Sequence, residues 1–184
     1  KLWLLLDIIF KIKMKKLTTT IILIVFFNGL SQNDLTVFDD SVFSIINKNV
    51  KIEILADSFI VAEGPLWDTE NNRLIFSDVR KNKIFTWDEI NGVKDYISPS
   101  GSTGYAPSFK QGGIGANGLA FDKKGNIVLC QHGDRRLAVA SNSATNQPNF
   151  ITVVDNFEGK RFNSPNDLAI SKNGSTASSS SSSN

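Results

Sequence analysis

The chain has 184 residues, with 20 Lys and Arg against 18 Asp and Glu, a formal net charge of +2. So small a positive balance, scattered once the N-terminus is set aside, excludes a nucleic-acid surface as the main partner, while 41% apolar residues suffice for a buried core. The single cysteine, Cys130, excludes an intrachain disulfide, and the single histidine, His132, must serve in any Ser-His-Asp or Cys-His site.

In chain order, residues 1–13 are apolar and basic without an evident role. They read as upstream read-through with Met14 as the true start; if they are genuine, an N-terminal membrane anchor is the alternative reading. Residues 14–31 have signal-peptide order: Lys15-Lys16, an apolar run from Leu17 to Phe27, then small and polar residues to Ser31. That predicts export to the periplasm or the exterior. The apolar run is too short to span a bilayer as a helix, so no membrane span is expected after cleavage. Residues 32–49 are a polar lead-in, and Val50 to Ala56 alternates like a strand.

A repeating unit then begins. Its first copy has strands at Gly64 to Trp67, Arg73 to Asp78 and Lys83 to Trp87, with a fourth at Val93 to Ile97 after the Asn91-Gly92 turn. A loop from Ser98 to Gly115, rich in Gly, Ser and Pro, is expected to cover a functional mouth. The second copy places strands at Asn117 to Phe121, Asn126 to Gln131, Arg135 to Ser141 and Phe150 to Val154. A third copy opens at Ser164. It is expected to stop after its first strand, because polyserine has no apolar face to bury; residues 175–184 then read as a linker or artefact. Many short strands with turn signals and no amphipathic helix predict an all-β fold, and the recurrence every 50 or so residues predicts a propeller or solenoid.

The openings of the copies align: Ala62-Glu63-Gly64-Pro65-Leu66-Trp67-Asp68, Ala116-Asn117-Gly118-Leu119-Ala120-Phe121-Asp122 and Pro165-Asn166-Asp167-Leu168-Ala169-Ile170-Ser171. Glu63 and Asn117 stand 54 residues apart, Asn117 and Asn166 49. Hairpin counting puts Glu63 opposite Asp78 and Asn117 opposite His132. If each first strand lines a central channel, Glu63, Asn117 and Asn166 converge on one mouth. A carboxylate with amide oxygens is a hard donor set, suited to Ca2+, Mg2+ or Mn2+ before zinc; strand-end capping is the bland alternative. Gly113-Ile114-Gly115-Ala116-Asn117-Gly118 matches a dinucleotide fingerprint but follows a loop and opens a strand, so that reading is rejected. Arg135-Arg136 either recognises an anionic substrate group or opens a solvated strand. Cys130, Trp67, Trp87 and Phe121 are assigned to the core.

Four segments carry a family resemblance: Ala62 to Trp67, Leu74 to Asp78, Cys130 to Arg136, and Gly159 to Asp167. The sequence from about Ile52 to Gly174 resembles the gluconolactonase family, which includes regucalcin (senescence marker protein). The resemblance implies a six-bladed β-propeller, of which residues 50–174 supply about the first half, with a divalent metal in its channel. It implies Glu63 and Asn166 as metal ligands, and Asn117, with His132 and Arg135, at the substrate. The metal implied is Ca2+ first, with Mg2+, Mn2+ or Zn2+ as the others, and the substrate a small-molecule lactone. A catalytic Asp and a second Asn are expected from later blades, so these 184 residues alone are expected to be inactive and poorly folded. The alternative in another class is a secreted propeller that binds a ligand without turning it over.

Overall fold

The structure is a computed structural model that describes residues 35–107, 114–141 and 148–180. The signal-peptide and read-through assignments therefore lie outside the described residues. The chain divides into two compact units, Lys1–Leu55 and Ala56–Asn184. In the first, the described part holds one 3-10 turn, Asp40–Ser44, whose N-cap Asp39 accepts the Ser41 N–H at 2.8 Å. Residues 50–55 are not a strand here: they are exposed and join no ladder, so their alternation alone does not make a sheet.

The second unit is all β. Strands β1 (Ala62–Asp68), β2 (Arg73–Asp78), β3 (Lys83–Asp88) and β4 (Gly92–Ile97) form one antiparallel sheet in chain order. Strands β5 (Ala116–Phe121), β6 (Ile127–Gln131), β7 (Arg136–Ser141) and β8 (Asn149–Val154) form a second of the same kind. A short ribbon follows, β9 (Asn156–Phe157) with β10 (Lys160–Arg161), and then a hairpin, β11 (Pro165–Ile170) with β12 (Thr176–Ser180). The third copy therefore does not stop after one strand. The serines pair through their backbones with β11 without needing an apolar face of their own.

Why the sheets stack as they do is written in β6. Its run Ile127-Val128-Leu129-Cys130 is apolar throughout, and side chains alternate between faces. Ile127 and Leu129 join Ile75, Ile84, Ile97, Leu119 and Ala140 in a core against the first sheet. Val128 and Cys130 join Leu137 and Leu168 in a second core against the third hairpin. Both faces of β6 are thus buried, which is why the run lacks the alternation of a one-sided strand. The far face of the first sheet carries its own aromatic cluster of Phe59, Phe76 and Phe85. Trp67, assigned to the core by its sequence, is 49% exposed, and Trp87 and Phe121 are half-buried.

The hairpin registers differ by one or two residues from simple counting. Ala62, not Glu63, faces Asp78, and Ala116, not Asn117, faces Gln131 rather than His132. The reason is shared. A register shift falls between Glu63 and Leu66, between Ala116 and Leu119, and between Pro165 and Leu168. Every copy has a bulge at the same place in its first strand, where two residues lie between ladder partners.

Candidate functional site

The three bulges determine what the first strands present. Leu66, Leu119 and Leu168 are equivalent, so Asn117 and Asn166 both occupy the first bulge position, where the first sheet has Gly64. Glu63 sits one residue earlier, still in the ladder opposite Ser77. The leucines carried the signal for this: they are 53 and 49 residues apart, against 54 and 49 for the presumed ligands.

The bulges pack directly on one another. A Cβ on Gly64 would lie 2.3 Å from the Asn117 carbonyl oxygen, and Gly64 has φ +55°, so only glycine fits. A Cβ on Gly118 would lie 2.5 Å from Asp167 Oδ1 and 2.8 Å from Asp167 Cα. This close approach brings Asn117 Nδ2 within 2.5 Å of Asn166 Oδ1. Asn117 is buried, whereas Asn166 and Glu63 are exposed. Of the expected residues, then, the structure joins Asn117 to Asn166 and sets Glu63 on the neighbouring strand beside the glycine that touches Asn117.

Around this end run two matching turns. The β2–β3 turn has Asn82 at φ +54°, and the β6–β7 turn has Arg135 at φ +57°. Asn82 Oδ1 accepts the N–H groups of Ser100, Gly101 and Ser102 at 3.1, 2.9 and 3.1 Å. Asp134 accepts the Thr103 N–H and hydroxyl, and its own N–H donates to Gly101 O at 2.7 Å. Residues 98–107 are therefore strapped across both turns. Residues 108–113 of that loop lie outside the described part.

His132 and Arg135 are both half-buried at this end. His132 Nδ1 is enclosed and has no hydrogen-bond partner among the described residues. Burial, and then the charge of Arg80, lower the His132 pKa, so its imidazole is neutral at pH 7. Arg136 does not open a solvated strand: it is buried, donates to Gln131 Oε1 and to Thr152 Oγ1 at 2.7 Å, and lies 3.7 Å from the Tyr105 ring centroid. Asp78 is likewise internal. It accepts N–H bonds from Ile60 (2.9 Å), Val61 (3.3 Å), Arg80 and Lys81 (3.2 Å each), which removes it from the candidate site.

Donor chemistry tests the cation reading. The Glu63 carboxylate and the Asn117 and Asn166 amide oxygens are hard oxygen donors of the type Ca2+ takes. Among the described residues, no three His, Cys, Asp or Glu side chains gather, so a cation here depends on the asparagines. A cleft of about 450 Å³, lined by Asp68, Arg73, Tyr96, Phe121 and Ile127 among others, lies at the opposite, turn end of the hairpins. Asp68 there is already paired with Arg73 at 2.8 Å.

Comparison with known proteins adds to this geometry. The profile of the SMP-30/Gluconolactonase/LRE-like region matches residues 61–182. A gluconolactonase from Zymomonas mobilis subsp. mobilis is 35% identical over 147 residues, covering 80% of this chain and 40% of that protein. An X-ray structure assigned as a gluconolactonase superposes with TM-score 0.54 at 32% identity, over 66% of this chain and 37% of the other. A Xanthomonas campestris gluconolactonase, described as important in glucose secondary metabolic pathways, superposes with TM-score 0.54 at 26% identity, over 66% and 35%. The chain spans about two fifths of the length of these relatives.

Proposed function

The chain belongs to the SMP-30/gluconolactonase/LRE-like family of β-propellers, and on that premise we propose that the whole protein is an exported, metal-dependent lactonase that opens a sugar lactone or related ester. The observation that carries the reading is the stack of bulges on adjacent first strands, which presents Glu63, Asn117 and Asn166 at one end. Six blades complete the proposed propeller, of which these sheets are part.

Glu63 and Asn166 are the proposed holders of a divalent cation, Ca2+ first among Mg2+, Mn2+ and Zn2+. Bound there, the cation supplies Lewis-acid polarisation of the lactone carbonyl. Asn117 orients the substrate through its amide, restrained by its bond to Asn166. His132, neutral and half-buried at this end, is a proposed substrate contact through the exposed edge of its imidazole. Arg135, in the adjoining turn, is the proposed contact for the carboxylate that ring opening creates. The strapped segment 98–107 forms a wall and limits substrate size. Glu63 holds the cation and does not move protons.

A lactone-opening assay that follows proton release tests this. Glu63→Gln is expected to lower kcat/KM by about 10- to 100-fold, the cost typical of damaging a metal shell. Chelation with EDTA abolishes turnover and added Ca2+ restores it. Unchanged turnover in Glu63→Gln removes Glu63 from the mechanism. Tight cation binding with no turnover on any ester identifies a binding propeller instead.

A further inference from the structure

A bulge leaves backbone groups out of the sheet ladder, and buried ones must find other partners. At the Asn117 bulge two backbone groups, the Asn117 carbonyl and the N–H of the preceding ladder residue Ala116, find them in serine side chains. Ser77, in β2 of the neighbouring sheet, donates its hydroxyl to the Asn117 carbonyl at 2.9 Å. Ser100, in the strapped segment, accepts the Ala116 N–H on its Oγ at 3.0 Å. Both serines have 0% exposure. Ser100 is itself fixed, since its N–H donates to Asn82 and its carbonyl accepts Gln131 Nε2 at 2.9 Å. One bond precedes the Asn117 Cα and one follows it. Together they fix the direction of its Cα–Cβ bond, and so aim the amide at Asn166.

We infer that Ser77 and Ser100 are positioning residues for the Asn117 amide, one reaching in from the first sheet and the other from the connecting loop. Neither touches the substrate. The plain alternative is that two buried hydroxyls merely satisfy two backbone groups. That alternative predicts a loss of stability with no change in how Asn117 is held. The inference rests on the proposed cation site only for its affinity readout; the side-chain geometry is independent of it.

The test uses the full chain and the variants Ser77→Ala and Ser100→Ala. Three readouts are taken: the thermal melt, the NMR signals of the Asn117 side-chain NH2 group, and Ca2+ affinity by calorimetry. Each variant is expected to shift or broaden the Asn117 NH2 signals and, because Asn117 donates to the proposed cation holder Asn166, to weaken Ca2+ binding about tenfold, as disturbing the group behind a ligand does. In an Asn117→Ala background the serine substitutions should no longer change the affinity. Ser77→Thr, which keeps a hydroxyl, should restore the signals, whereas Ser77→Val should not. That comparison, made at Ser100 as well, replaces the alanine series if alanine at either site prevents folding. A lowered melting temperature with wild-type Asn117 signals overturns the inference. Absence of Ca2+ binding by the parent chain counts against the cation site, and the NH2 signals then decide the positioning role alone.

Discussion

Gly118→Ala tests the stacking of the bulges most directly. Gly118 lies outside the left-handed φ region, so the substitution acts through space alone. The new methyl would stand 2.8 Å from Asp167 Cα and 3.0 Å from Asn166 O, whereas carbon–carbon contacts settle at about 3.5–4.0 Å. The Asp167 carboxylate, 2.5 Å away, can swing aside, but the two backbone atoms cannot. The third hairpin must therefore move off the second sheet, an overpacking that costs about 1–3 kcal/mol. At about 2–4 °C per kcal/mol for a chain of this size, the melting temperature should fall by about 2–12 °C. Displacement of β11 also breaks the 2.5 Å bond between Asn117 and Asn166, which the Asn117 NH2 signals report. Gly125→Ala is the control: open space surrounds Gly125, and only its φ of +81° opposes a side chain, a cost of about 1–2 kcal/mol. A Gly118→Ala protein with an unchanged melt and an intact amide pair would refute the packing argument.

The other predictions concern the elements around that stack. Asp78→Ala strips four N–H groups of their acceptor and should destabilise the chain by about 3 kcal/mol, read by urea denaturation. Burial pushes the Asp78 pKa up, but bonds from Ile60, Val61 and Lys81 and the Lys81 charge outweigh it and hold the value below the ordinary one. Its stabilisation is therefore complete above about pH 4 and is lost as pH falls through the lower folded value; Asp78→Asn should flatten that limb of the melting profile. Burial raises the Cys130 thiol to about 12, so a maleimide at pH 8 should label it only after unfolding, and rapid labelling of the native chain would contradict its enclosure. Asn82→Gly keeps the left-handed backbone and deletes the side-chain acceptor, so amide exchange should accelerate at Ser100, Gly101 and Ser102 while β6 is unaffected.

Which parts of this were legible in the sequence follows from where the information is local. Strand positions were readable because turns such as Asn91-Gly92 and Lys124-Gly125 punctuate short apolar runs, and β6 announced itself by an unbroken apolar stretch. The bulges were not readable from spacing alone. Counting outward from a turn assumes an uninterrupted ladder, and one extra residue moves every later pair, as Glu63 and Asp78 show. The Asn117–Asn166 contact was anticipated only as convergence, whereas its cause, glycines that let adjacent backbones touch, lies in pairs of residues about fifty positions apart. Residues 50–55 misled for the opposite reason: the alternation is strong, but a strand needs a partner, which no local pattern reveals. The serines of β12 misled likewise, since pairing with β11 supplies what their side chains lack. Arg136 looked like a solvated charge because its partners Gln131, Thr152 and Tyr105 come from three separate segments.

The tip at Lys123-Lys124-Gly125 has a practical use. It sits at the far end of a strand running from Ala116 to Phe121, roughly 20 Å of extended chain from the asparagine pair. Lys123, Lys124 and Gly125 are exposed, and the turn is closed by its own Asp122 and Asn126. A dye, an affinity handle or a surface tether attached there would report on or immobilise the molecule while the opposite rim stays open to solvent and to whatever enters it.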